Sequence, residues 1–131
     1  MVNDPTGDYI NRLKNASAVK SETVSIPYSK IKEAISNLLK SEGYINFVNT
    51  KGKTVKRTLE IGLAYNKDGS PKISAAKRIS KPGRRVYKSS KEIKPVKFGK
   101  GTLVLSTPKG IVSGEGARKE KVGGEALFEI W

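Results

Sequence analysis

The pattern of hydrophobic and polar positions divides the first half of the chain into two helices and three strands. Apolar residues at helical spacing follow Asp4-Pro5, a helix-start signal, and predict a helix over residues 5–18. The clearest helical pattern, with a serine as N-cap, covers residues 29–43. A short strand over residues 23–28 separates these helices, and a hairpin around residues 51–53 follows them. The predicted order is therefore α-β-α-β-β.

Short strands separated by glycine and proline dominate the second half. Five short apolar runs follow the turn-rich segment 66–71, and the only helical candidate among them, residues 114–121, is two turns at most. The predicted fold class is α+β. An N-terminal α-β-α-β-β lobe, residues 1–66, is expected to pack against a mainly β C-terminal lobe with one short helix, residues 67–131.

Charge changes the picture of this second lobe. Lysine and arginine total 26 against 12 acids, for a formal net charge of +14, and residues 71–100 alone hold 11 basic residues and one acid. Apolar residues are interleaved with these charges, so the segment is predicted to be folded. A basic stripe on packed strands favours contact with the phosphates of a nucleic acid, which supplies affinity and register without sequence information. The alternative is a solvated basic face that serves solubility alone.

Several function classes are excluded by what the chain lacks. Cysteine and histidine are absent, which removes disulfides, thiolate and imidazole metal ligands, and a histidine base. The glycines form neither a dinucleotide fingerprint nor a P-loop, so no cofactor is expected. Glu125 and Glu129 share one face of a predicted strand, where pairing with basic residues is favoured over acid–base catalysis. Without an apolar span or a secretory signal, the protein is expected to be soluble and intracellular.

The run Ser106-Thr107-Pro108-Lys109 allows three interpretations. It fits the S-x-x-K pair of serine acyl enzymes, but the accompanying motifs are missing, so a hydrolase using Ser106 and Lys109 is a remote alternative. A turn whose hydroxyls bond their own backbone is the structural interpretation. Equally weighted is a recognition turn, whose hydroxyls donate to and accept from base edges and 2′-hydroxyls.

The segment "SKPGRRVY" predicts a second chemical feature. Pro82-Gly83 indicates a tight turn, and Tyr87 follows shortly after it. Three cations crowd this turn: Lys81, Arg84 and Arg85. Guanidinium groups suit phosphates, and an exposed tyrosine stacks on a base or a sugar. The equally weighted alternative is that Tyr87 belongs to the core with only its hydroxyl at the surface.

These motifs carry a family resemblance. "SKPGRRVY", "LSTPKG" and "GGEALFEIW" resemble the S-K-P-G-x-R-x-Y, S-T-S-x-G and G-G-E signatures of bacterial small-subunit ribosomal protein S8, and "NRLKNA" and "IPYSKIKEAISNLLKSEGYI" resemble its two N-terminal helices. The resemblance covers nearly the whole chain in the right order. It implies a non-enzymatic structural constituent of the small ribosomal subunit that binds a stem in the central domain of its RNA and aids assembly. Its implied alternative is a translational repressor of a ribosomal-protein operon messenger.

The resemblance and the turn chemistry together assign site residues. The hypothesis has two steps: basic residues from Lys72 to Lys100 attract and position RNA, and the Ser106-Thr107 turn with Tyr87 reads the distorted groove. The residues predicted to contact RNA or to support that surface are Ser106, Thr107, Lys109, Gly110, Tyr87, Arg85, Arg84, Lys81, Glu125, Arg12, Lys14 and Asn15.

The chain departs from the family pattern at a few positions. The resemblance also predicts its partners and its location. Pro108 stands where the family has its second serine, which removes a hydroxyl and an amide donor. Thr6-Gly7 replaces a more apolar pair, and residues 89–100 are rich in lysine, which suggests greater reliance on phosphate attraction. The expected partners are small-subunit ribosomal RNA and neighbouring ribosomal proteins. The expected location is the cytoplasm, with an organellar ribosome as the alternative.

Overall fold

The computed structural model describes residues 4–52, 56–96 and 101–131. Two compact units make up the chain: an N-terminal unit, Asp8–Ser74, and a C-terminal unit, Ala75–Trp131 together with the residues up to Gly7. The predicted boundary between residues 66 and 67 concerns which parts of the chain fold independently. It remains a prediction. Among the described residues, no helix is long and apolar enough to cross a membrane.

The N-terminal unit combines helices with a three-stranded antiparallel sheet. Its elements, the first of which starts in the other unit, are α1 (Pro5–Ala18), β1 (Thr23–Pro27), α2 (Lys30–Ser41), β2 (Ile45–Lys51) and β3 (Thr58–Leu63). The strand order is β1-β3-β2, so the strand that ends in proline lies at an edge, where a missing amide donor is tolerated. This confirms the predicted α-β-α-β-β order. Lys53, at the tip of the predicted hairpin, lies outside the described residues.

Side-chain caps explain where the two N-terminal helices begin. The Asp4 carboxylate accepts a hydrogen bond from the Gly7 amide at 3.2 Å, and the Ser29 hydroxyl accepts one from the Lys32 amide at 3.2 Å. Each cap satisfies an amide that the helix itself leaves unpaired. Both helix starts were predicted correctly because capping is a local signal.

The C-terminal unit is mainly β with one short helix, as predicted. Its elements are β4 (Ala76–Arg78), β5 (Tyr87–Lys88), β6 (Thr102–Thr107), β7 (Gly110–Ser113), α3 (Gly114–Glu120) and β8 (Gly124–Ile130). The strands form a five-stranded sheet in the order β4-β8-β6-β7, and β5 pairs with the beginning of β8. All pairings in it are antiparallel.

Burial in the core of the C-terminal unit determines which side chains of β6 and β8 face away from α3. Leu105 of β6 and Ala126 of β8 pair with each other, are fully buried, and pack in one cluster with Ala117 of α3. Successive residues of a strand point to opposite faces. Ser106 and Glu125, the next pair along these strands, therefore point to the face away from α3.

Candidate nucleic-acid interface

Three predicted site residues form a row across neighbouring strands. Tyr87 of β5 pairs with Glu125 of β8, which pairs on its other side with Ser106 of β6. Directly opposed residues of antiparallel strands place their side chains on the same face, about 5 Å apart at Cβ. The sheet therefore brings a phenol, a carboxylate and a hydroxyl together, and this set is called the cross-strand row below.

Tyr87 is a surface residue. The residue is 68% exposed, and it lies on a strand of two residues that pairs with β8. The interpretation of Tyr87 as a core residue is therefore wrong. An exposed aromatic ring offers a face on which a base or sugar can stack.

Glu125, at the centre of the row, holds a neighbouring arginine. One carboxylate oxygen, Oε2, accepts a hydrogen bond from Nη1 of Arg85 at 3.0 Å, and the Glu125 side chain is only 17% exposed. The predicted pairing of Glu125 with the basic residues of 71–100, called the basic segment below, is confirmed. The pair fixes the position of the Arg85 guanidinium beside the row.

The segment Lys81–Arg84, called the cationic turn below, has the predicted tight geometry. Lys81 and Arg84 exchange two backbone hydrogen bonds of 2.9 Å around Pro82-Gly83. Beneath the turn, the buried Ser80 hydroxyl donates to the Val86 carbonyl at 3.2 Å and accepts from the Val86 amide at 2.9 Å. Ser80, to which the sequence analysis gave no role, thus joins the two ends of the loop while both cations remain exposed.

The segment Thr107–Gly110, called the hydroxyl turn below, is stabilised by its own threonine. Thr107 Oγ1 donates to the Gly110 carbonyl at 2.9 Å and accepts from the Lys109 amide at 3.1 Å. The structural interpretation, a hydroxyl that bonds its own backbone, is therefore correct for Thr107. Gly110 has a φ of 110°, a conformation that favours glycine, and this explains its place in the motif.

Pro108 fits the backbone of the hydroxyl turn. It occupies the second turn position, where proline is favoured because its φ is already fixed near −65°. Lys109, in the third position, is not among the described residues with positive φ, which excludes the type II geometry. A type I turn suits both residues. The departure from the family pattern at Pro108 therefore introduces no backbone strain.

Ser106 has the hydroxyl that remains available in the motif. Within the described part of the chain it has no hydrogen-bond partner, in contrast to Thr107. The Lys109 ammonium binds Glu120 at 3.0 Å, and Ser106 lies in a strand rather than at the start of a helix. The serine acyl-enzyme alternative is therefore wrong, because its nucleophile and lysine are not arranged as that chemistry requires.

A glycine doublet, Gly123-Gly124, positions the row, a role that its place in the G-G-E motif did not indicate. A Cβ on Gly124 would lie 2.1 Å from the Ser106 carbonyl oxygen, and one on Gly123 would lie 2.5 Å from the Lys88 carbonyl oxygen. Only residues without side chains allow β8 to begin this close to its neighbours. Two consecutive glycines at the start of a strand were the available signal.

The predicted residues of α1 belong to the N-terminal unit, whereas the row and both turns belong to the C-terminal unit. Arg12 pairs with Asp8 at 3.2 Å. Lys14 and Asn15 border a cleft of about 430 Å³ in the same unit. These three side chains are exposed and polar, which is compatible with phosphate contact.

The structure describes only part of the basic segment, and some of its described cations are already bound to carboxylates. Lys91 and Lys94 are exposed, while Lys97 and Lys100 lie outside the described residues. Arg78 is bound to the Asp4 carboxylate and is mostly buried. Glu92, the one acid of residues 71–100, accepts a hydrogen bond from the Ser89 amide at 3.0 Å, which lowers the pKa of its carboxyl.

Comparison with known proteins gives one consistent match. A family model described as "Ribosomal protein S8" matches residues 4–131. The chain is 45% identical over 131 residues to "Small ribosomal subunit protein uS8" of Helicobacter pylori (strain Shi470), covering 100% of both chains. It is 49% identical to the protein of the same name from Nitratidesulfovibrio vulgaris, again over 100% of both chains.

Proposed function

Because the chain belongs to the ribosomal protein S8 family, a family of structural constituents of the small ribosomal subunit, we propose that it binds the central domain of the small-subunit ribosomal RNA and aids its assembly. The family membership implied by the sequence motifs is confirmed. The protein is a ribosomal constituent and not an enzyme. Its proposed location is the bacterial cytoplasm, and its proposed partners include neighbouring small-subunit proteins.

Binding is proposed to occur in two steps that use different groups. Exposed cations of the basic segment and the cationic turn attract RNA through its phosphates, a contact that carries no sequence information. The cross-strand row then reads the distorted groove of a stem, where base edges and 2′-hydroxyls are accessible. Arg12, Lys14 and Asn15 are proposed to add phosphate contacts from α1.

The observation that carries this proposal is the available Ser106 hydroxyl in register with an exposed tyrosine. Thr107 already uses its donor on Gly110, so Ser106 is the better candidate for direct readout. Thr107 is instead proposed to hold the hydroxyl turn in place. This division refines the hypothesis that both hydroxyls read RNA.

The Ser106→Ala variant tests the readout. Binding is measured for a stem from the central domain and for an arbitrary duplex of equal length. The preference for the stem should fall by about 1 kcal/mol, the worth of one polar contact, while duplex affinity stays unchanged. Thr107→Ser, which keeps the hydroxyl, should retain the preference.

A matched charge variant completes the experiment. Lys91→Ala combined with Lys94→Ala should weaken binding to both RNAs and flatten its salt dependence, because both residues are exposed cations outside the row. An unchanged preference in Ser106→Ala would contradict readout by the row. A loss confined to the stem in the lysine variant would contradict the proposed division between the two steps.

Repression of a ribosomal-protein messenger is the alternative function. A messenger stem with the shape of the ribosomal site would present the same groups to the cross-strand row, so the two ligands would compete. Crosslinking in cells distinguishes them, because a dedicated repressor is recovered on its messenger, whereas a ribosome constituent sediments with the small subunit.

A further inference from the structure

A carboxylate at the centre of a nucleic-acid-binding surface requires an explanation. Glu125 lies between Tyr87 and Ser106, the two groups best placed to touch RNA. Arg85 offsets the charge of this carboxylate, but the carboxylate has no hydrogen bond to donate, and a phosphate only accepts them. The position therefore disfavours the commonest kind of contact that proteins make with RNA.

One oxygen of this carboxylate remains available. Oε2 is bound by Arg85, while Oε1 has no hydrogen-bond partner among the described residues. An ionised carboxylate only accepts hydrogen bonds, through about four lone-pair positions. The groups of RNA that donate are base amino and imino groups and the 2′-hydroxyl, whereas a phosphate offers acceptors only.

Glu125 lies at the point where its face of the sheet changes from buried against other residues to exposed to solvent. On its covered side, Glu125 lines a cavity of only about 40 Å³ together with Arg85, Asp4, Arg78 and the buried Leu127. On either side of Glu125 in the row, the Tyr87 ring is exposed and Ser106 is half-buried. A base stacked on the tyrosine would therefore approach the carboxylate from the open side.

We propose that Glu125 is a specificity-determining residue, which accepts a hydrogen bond from an amino or imino group of an unstacked base, a bond that a phosphate cannot donate. The inference rests on the proposed function and names the chemical group that the row selects. Tyr87 supplies the stacking face, Ser106 adds a polar contact, and Arg85 occupies the other carboxylate oxygen.

A second acid of the same unit provides a matched control. Glu120 is also bound to a cation, Lys109, at 3.0 Å, but it lies on α3 and outside the row. Glu120→Gln removes the same charge as Glu125→Gln. It should strengthen binding to every RNA slightly and equally, because it removes repulsion without touching the readout.

The Glu125→Gln and Glu125→Asp variants separate the hydrogen bond from the charge. Glu125→Gln should bind an arbitrary duplex more tightly and the central-domain stem roughly tenfold less tightly, the effect of losing a hydrogen bond to a charged group. Glu125→Asp keeps the charge but shortens the reach, so it should lose stem affinity without gaining duplex affinity. Thermal unfolding of each variant checks that the fold is retained.

Altered RNA identifies the donor directly. In stems that lack one base amino group, made with inosine for guanosine, purine riboside for adenosine or zebularine for cytidine, or that carry N1-methylguanosine or N3-methyluridine, one position should weaken wild-type binding. The same change should have little effect on Glu125→Gln, because the contact is already lost. A stem whose every such change costs both proteins equally would overturn the inference.

Two further results would also overturn it. If Glu125→Gln matched Glu120→Gln, the residue would contribute charge alone. If Arg85→Ala abolished the effect of Glu125→Gln, Glu125 would act only by positioning the arginine. Failure of the proposed function looks different, because the wild-type protein itself would then show no preference for the stem.

Discussion

The two turns of the C-terminal unit share a construction and differ in charge. Each places proline at its second position, and each is stabilised by a hydroxyl that bonds across it, Ser80 for the cationic turn and Thr107 for the hydroxyl turn. Both cations of the first turn lack a carboxylate partner among the described residues, whereas Lys109 of the second is bound to Glu120. The same framework thus presents free charge in one place and neutral hydrogen-bonding groups in the other.

This difference shows how a protein with a net charge of +14 can recognise one particular RNA as well as attract RNA in general. Positive charge binds any RNA, so a recognition surface with many free cations would gain affinity for the wrong sequences as well. Placing the free cations on a separate turn leaves the cross-strand row to discriminate by hydrogen bonds and stacking. Three variants test this comparison of the turns.

The largest effect is expected for Gly124→Ala. The added Cβ would lie 2.1 Å from the Ser106 carbonyl oxygen, so β6 and the hydroxyl turn must move. We expect a loss of about 3 kcal/mol in the free energy of unfolding and a loss of preference for the cognate stem. Denaturant unfolding and RNA binding measure the two. Gly83→Ala, in the cationic turn, is the control, because its Cβ would meet no atom within 4 Å; equal effects would contradict the close approach.

A smaller effect is expected when the cationic turn loses its charges. Lys81→Ala combined with Arg84→Ala should weaken binding to stem and duplex alike, roughly tenfold at low salt, and reduce the slope of log affinity against log salt by about two. Lys109→Ala should change the slope less, because Glu120 already neutralises that lysine. A selective loss of stem binding in the double variant would show that the cationic turn also reads sequence.

The smallest effect is expected for Pro108→Ser, which restores the family residue. Proline restricts the unfolded chain, so its removal should lower the free energy of unfolding by about 0.4–1 kcal/mol, and Pro82→Ser should cost about the same. The preference for the stem should not change, since Ser106 performs the readout. A gain in preference as large as the loss in Ser106→Ala would show that the missing hydroxyl is itself a reader.

Local signals made most of the architecture predictable from sequence. The capping residues of α1 and α2 and the Pro82-Gly83 turn all lie within a few residues of the structure that they determine, and each was predicted correctly. Spaced motifs over the whole length identified the family.

The cross-strand row was not predictable from the sequence, because it depends on pairing between distant parts of the chain. The register that aligns Tyr87, Glu125 and Ser106 depends on strands distant in the chain and on a bulge between Val104 and Leu105. A two-residue strand has too little alternation to indicate which face Tyr87 occupies. The different roles of neighbouring hydroxyls also needed atomic positions, because composition does not reveal which of them is already bonded.

The pairing of Lys109 with Glu120 has a consequence for binding kinetics. Long-range attraction raises the rate of association, whereas short-range hydrogen bonds and stacking mainly set the rate of dissociation. With its lysine neutralised, the hydroxyl turn adds little to the speed of encounter, which the free cations elsewhere provide. Salt should therefore slow arrival at the RNA strongly, while the lifetime of the correct complex depends on the cross-strand row and changes far less.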